Sequence, residues 1–172
     1  MGNQELHNYI LKISSEMGFT AYGAVKPQKL IREREYLEAY LRDSYNGTMG
    51  YLARNIDLRE DPSLLVEGTK SILVFLVPYK PSALADKDLP QISSYAYGLD
   101  YHRFVRERLK VLAERIKEHR PGMDYRVFTD SAPVFERSLA TLAGLGFIGK
   151  NTFLISKKAG LHTLIGTIFT NE

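Results

Sequence analysis

Six consecutive apolar residues, Ile72-Leu73-Val74-Phe75-Leu76-Val77, lie inside the segment Ser71–Tyr79. Three are β-branched and one is aromatic, and no polar residue interrupts them, so the run reads as a strand covered on both faces rather than one with a wet side. A chain carrying such a strand has to supply an apolar layer above it and another below it. At 172 residues the chain has the length for one domain with a layered core, and a single domain over 1–172 is expected. The same run, extended to Pro78, is the longest apolar stretch and falls far short of the roughly 20 residues a membrane-spanning helix needs.

The layers can be looked for on either side of this strand. Leu6, Ile10, Ile13 and Met17 recur at helical spacing and end at Gly18, which predicts an opening helix with one buried stripe. Phe19–Val25 reads as a strand, and Gln28–Tyr45 as a helix closed by Asn46-Gly47. Lys80–Gln91, with prolines and alternating charges, reads as a surface loop, and Ile92–Tyr97 as a further strand. Asp100 stands where an N-cap would precede a helix bearing Val105, Leu109, Leu112 and Ile116, stopped by Pro121-Gly122. Tyr125–Thr129 reads as a strand, followed by a helix capped by Asp130-Ser131 with Pro133 in its first turn. Strands near Thr152–Ser156 and Leu161–Thr170 would form a hairpin around Lys158-Ala159-Gly160. Helices and strands alternate without a βαβ rhythm, so the fold class is α+β: a mixed sheet of about five strands flanked by helices.

Composition narrows the chemistry. The chain contains no cysteine, which excludes disulfides, cysteine-bound zinc and cysteine-bound iron–sulfur clusters within it. Histidines 7, 102, 119 and 162 lack metal-ligand spacing, and no serine sits in a nucleophile elbow, so no metal site is assigned. A net charge of +3 offers few phosphate contacts, which argues against a general nucleic-acid module. No secretory signal follows Met1, which makes the cytoplasm the default and a membrane role unexpected.

Three polar segments collect at strand ends, where a scaffold displays its site. In Tyr95-Ala96-Tyr97-Gly98-Leu99-Asp100-Tyr101-His102, an acid, an imidazole and three phenols lie together; the simpler reading is a cap at Asp100 and a solvent-facing His102. In Phe128-Thr129-Asp130-Ser131-Ala132-Pro133-Val134-Phe135-Glu136-Arg137, a carboxylate leaves a buried strand; capping would explain Asp130, and a surface ion pair Glu136-Arg137. In Gly144-Leu145-Gly146-Phe147-Ile148-Gly149-Lys150-Asn151-Thr152, glycines permit close approach of a bulky ligand, without the strand and helix context of a phosphate loop.

Together with Gly47-Thr48-Met49-Gly50-Tyr51-Leu52 and Arg59-Glu60-Asp61-Pro62, these segments resemble, in order, the N-terminal domain of the epoxyqueuosine reductase family. The resemblance runs from about Gly18 to Thr170 and rests on the ordered set, since each motif alone is weak. It implies a nitroreductase-like cobalamin-binding scaffold acting in tRNA queuosine modification, with queuosine-precursor tRNA as partner. It casts Asp130 as the catalytic acid, Asp100 and His102 as pocket residues, and Arg54, Ser93, Tyr95, Leu154 and Ile165 as further cofactor contacts. Members of the family continue into a ferredoxin-like part whose cysteines hold two four-iron clusters. The resemblance therefore implies a cobalamin-binding part separated from its electron source, with self-association through the apolar surface left uncovered. The competing readings are a corrinoid-binding module without turnover and a flavin-binding module on the same scaffold.

Overall fold

The computed structural model describes residues 2–79, 93–96 and 98–172. Helix α1 (Asn3–Glu16) is followed by β1 (Ala21–Val25) and α2 (Ile31–Arg42). A 3-10 turn, Gly50–Ala53, leads to the short helices α3 (Ile56–Glu60) and α4 (Pro62–Leu65), then to β2 (Ser71–Pro78). A second 3-10 turn, Ser94–Ala96, precedes α5 (Tyr101–Lys117), β3 (Tyr125–Phe128), α6 (Glu136–Leu142), β4 (Phe147–Ile148), β5 (Leu154–Ile155) and β6 (Thr163–Thr170).

The main sheet has four strands in the order β1-β2-β6-β3, and all its pairs are antiparallel. The expected strand Ser71–Tyr79 is β2, paired on both edges and central. Its apolar run divides by parity: Leu73, Phe75 and Val77 pack with α1 and α5, while Ile72, Val74 and Leu76 pack with Leu139 and Ala140 of α6. Side chains alternate faces along a strand, so an uninterrupted apolar run is what two covering layers demand.

Three expectations about strands are corrected. Ser94–Ala96 is a 3-10 turn and not part of a strand, while Ile92, Tyr97 and the expected loop Lys80–Gln91 lie outside the described residues. The sheet is antiparallel throughout rather than mixed. β5 pairs with β4 in a separate two-stranded ribbon, and β6 enters the main sheet between β2 and β3. Of the expected final hairpin only an isolated Ser156–Gly160 bridge remains. β6 reads Ile165-Gly166-Thr167-Ile168-Phe169, apolar enough for an inner strand, and an inner place pairs both of its edges.

Gly166 sets how closely α5 lies on this sheet. A Cβ there would come within 2.7 Å of Leu109 Cδ1 and 3.0 Å of Val105 Cγ1, both on the fully buried face of α5. The close seat brings the N-terminus of α5 beside the end of β3, which is the step that builds the site.

Candidate active site at the junction of α5 and the loop after β3

The N-terminus of α5 is capped by Asp100, whose carboxylate accepts the His102 backbone N–H at 3.0 Å. The same oxygen lies 2.8 Å from His102 Nδ1. The cap expected from sequence is therefore present and also orients the imidazole. Held by His102, the Asp100 carboxyl stays below the usual carboxylate range. With Nδ1 turned to Asp100, Nε2 faces away and lies 3.4 Å from Asp130 Oδ2.

Asp130 does not cap the following helix. α6 starts at Glu136, its N-cap position is Phe135 with no side-chain cap bond, and residues 130–135 are not helical. The backbone of Asp130 is left-handed, φ 54°, a conformation that costs energy for a residue with a Cβ and that Asp and Asn tolerate better than most. Its carboxylate accepts a short hydrogen bond from Tyr101 Oη in addition to facing His102. Burial is the leading cause, and the bond to Asp130 the next, in pushing the Tyr101 phenol well above its usual range, so Tyr101 is a fixed donor. The rings of Tyr101 and His102 stack at 4.0 Å, and Tyr95 meets Tyr101 edge-on at 5.8 Å. Two carboxylates, one imidazole and one phenol thus converge at the end of the sheet. The cluster is open to ligand: the Asp130 side chain is 63% exposed and that of His102 34%.

Glu136 and Arg137 do not form the expected surface ion pair. Glu136 accepts the Asp130 backbone N–H at 2.8 Å, and Arg137 Nη1 donates to the carbonyl oxygen of Thr152, whose φ of 66° is also left-handed. Burial, opposed in part by the Asp130 N–H, pushes the half-buried Glu136 carboxyl up from 4.5 to about 8. Between those pH values the folded chain holds a proton that the unfolded chain has released, so stability falls as pH rises from about 4.5 towards about 8 and levels beyond it. Glu136→Gln keeps the acceptor and removes the titration. Its melting temperature relative to wild type is expected to rise between about pH 5 and about pH 9, by the equivalent of a few kcal/mol at most. A pH-independent difference between the two proteins would contradict the assignment.

Residues 59–131 match the family model for epoxyqueuosine reductase QueG, DUF1730. An epoxyqueuosine reductase of Leadbetterella byssophila is 42% identical over 155 residues, covering 90% of this chain and 51% of that protein. The solved epoxyqueuosine reductase of Streptococcus thermophilus superposes with a TM-score of 0.87 at 28% identity, over 96% of this chain and 46% of that one. Over nearly its whole length the chain is similar to the epoxyqueuosine reductases. It spans about half the length of the relatives it matches. A further epoxyqueuosine reductase structure, determined with a tRNA-Tyr epoxyqueuosine-modified stem loop, shares the fold with a TM-score of 0.83 at 24% identity, covering 98% of this chain and 46% of that one.

Within this fold the sequence-derived site residues fall into three groups. Asp100, His102 and Asp130 are brought together, with Tyr95 joined to them through Tyr101. Ser93 and Arg54 are exposed on turns outside the cluster, Ser93 accepting the Ala96 N–H and Arg54 closing the turn Gly50–Ala53. Ile165 is half-buried on β6, and Leu154, 4% exposed, packs in the core against the α6 side of the sheet. Tyr101 and Glu136 are the partners that sequence reasoning did not single out. Both stood inside the quoted motifs, but their contacts with Asp130 span 29 and 6 residues of non-helical separation that no periodicity encodes. Among the described residues no group of His, Cys, Asp and Glu could hold a metal ion, and no helix is long and apolar enough to cross a membrane.

Proposed function

We propose that this chain is the cobalamin-binding part of an epoxyqueuosine reductase and that Asp130 is its general acid. The observation that carries the reading is the convergence of Tyr101 Oη and His102 Nε2 on the Asp130 carboxylate at the open end of the sheet. Similarity to the epoxyqueuosine reductases suggests the substrate class, a queuosine-precursor tRNA, in line with the stem-loop complex of one such structure. The residues present suit a corrin. A wide apolar ring needs exposed hydrophobic side chains around a few fixed polar groups. Leu99, 86% exposed, and Tyr95 lie on the segment leading into α5, and Phe147 and Phe153 are exposed on the ribbon that Arg137 ties to α6. Of the expected contacts, Ile165 and the exposed Arg54 and Ser93 remain candidates, whereas the Leu154 side chain is taken up by the core.

When bound, cobalamin supplies the reducing metal centre for deoxygenation. The chain's own residues manage the proton. With the ring bound, the exposed Leu99 and Tyr95 would help to exclude water from the cluster that holds Asp130. Tyr101 holds one carboxyl oxygen in place, leaving the other, Oδ1, to face substrate. Asp100 fixes the imidazole of His102 with Nε2 towards Asp130, so a proton taken from solvent by the partly exposed ring can restore the acid after turnover. The reduction also requires electrons from an iron–sulfur partner, which a cysteine-free chain receives from outside itself.

Titrating the purified chain with cob(II)alamin tests the reading. A saturable change in the visible spectrum is expected, together with deoxygenation of an epoxyqueuosine stem loop once an iron–sulfur partner or chemical reductant is added. No spectral change would remove the cofactor assignment. Binding without turnover under all reductants would favour the non-catalytic corrinoid module, and yellow colour on purification the flavin module.

A further inference from the structure

We propose that Glu136 is a positioning residue, the latch that holds the Asp130 loop in its left-handed conformation and so aims the carboxylate at Tyr101 and His102. That the loop carries the acid rests on the function proposed above; that Glu136 fixes the loop rests on geometry alone. Asp130 leaves β3 with φ at 54° and has no helical bond to stabilise it. A non-glycine residue persists in that region only when its surroundings hold it there. The backbone N–H of Asp130 is turned to the Glu136 carboxyl at 2.8 Å. Ser131 N–H meanwhile bonds back to the Thr129 carbonyl at 2.7 Å, closing a tight turn around Asp130. Thr129 is itself anchored, its hydroxyl donating to the Ile165 carbonyl on β6 at 2.8 Å. The loop is thus tied to the sheet on one side of Asp130 and to the first residue of α6 on the other.

α6 is a firm base for such a latch. Ser138, Leu139 and Ala140 are buried against the sheet, so the residue that begins the helix has little freedom. Arg137 uses the same base to hold the left-handed Thr152 through its carbonyl, and so the two consecutive side chains restrain two strained backbones on either side of the helix start. A merely structural Glu136 would stabilise the chain as a whole. A latch acts first on the Asp130 amide and on the acid it orients.

The charged and titratable groups facing Glu136 are the Asp130 carboxylate and Tyr101, with His102 beyond Asp130. Ionisation of Glu136 therefore has to register at the Asp130 N–H it accepts. In the 15N-labelled chain the Asp130 amide resonance is expected to shift with a midpoint near 8, separate from any other titration it senses, and to lose that component in Glu136→Gln while remaining protected from exchange. In Glu136→Ala the Asp130 amide is expected to exchange about tenfold faster, as loss of a hydrogen bond of about 1.5 kcal/mol implies, while the Leu76 amide in the central strand changes no more than the overall stability does. In the cluster-supplied reductase assay Glu136→Ala lowers kcat about tenfold with KM little changed, and Glu136→Gln restores most of it. An Asp130 amide whose exchange is untouched by Glu136→Ala, or whose midpoint survives in Glu136→Gln, overturns the latch. Full turnover by Asp130→Asn would remove the acid role and leave the amide results standing, so the two proposals fail separately.

Discussion

Replacing Asp130 by asparagine is expected to lower the rate of epoxide deoxygenation by about 10²- to 10⁴-fold while leaving the fold intact, the range that removal of a general acid gives. Asparagine has the same shape, tolerates φ near 54°, keeps the N–H that Glu136 accepts, and offers an amide oxygen to Tyr101. What it lacks is an acidic proton. The chain's melting temperature should therefore move little, with stability within about 1 kcal/mol of wild type. Single-turnover reduction of an epoxyqueuosine stem loop, with cobalamin and an iron–sulfur partner present, provides the comparison. Retention of rate within about threefold would show that the proton comes from elsewhere.

The largest effect on stability is expected at Phe75. The side chain is fully buried in the central strand, its ring 5.3 Å from that of Phe19 and stacked on Tyr22 at 5.1 Å. Truncation to alanine removes these contacts and leaves a cavity between the sheet and the α1/α5 layer, at a cost of about 3–5 kcal/mol. Against a typical total of about 5–15 kcal/mol that is a large fraction. Urea unfolding should show a lowered midpoint with an unchanged slope. Loss of less than about 1 kcal/mol would mean that the layer collapses to fill the gap. Because α5 rests on the same layer and carries Tyr101 and His102, a cavity there should also loosen the site.

Much of the fold was legible because burial writes periodicity into the chain. The unbroken run in β2 announced two covering layers, and the stripes Ile10/Ile13 and Val105/Leu109/Leu112/Ile116 identified helices that supply one of them. The sheet order was not legible. β5 and β6 are each apolar and separated by a turn, the pattern of a hairpin, yet they join different sheets. Pairing depends on which edges are free once the other strands are placed, and that is a property of the assembled sheet. The segment before Asp100 misled for a different reason. The strand expected over Ile92–Tyr97 rested on one isoleucine and two tyrosines, a weak prior, and tertiary context made Ser94–Ala96 a 3-10 turn.

The same division holds for the central strand and the site beside it. By itself the sequence determined that Ile72–Val77 lies between two layers, that Asp100 caps a helix, and that an acid, an imidazole and several phenols stand at strand ends, because burial, capping and residue chemistry act over a few residues. Tertiary structure alone decided that Asp130 is free of capping and faces Tyr101 and His102, and that Glu136 turns inward to its backbone. Those contacts depend on the close seat of α5 over Gly166 and on the exit of β3 alongside β6, long-range placements that no local pattern records.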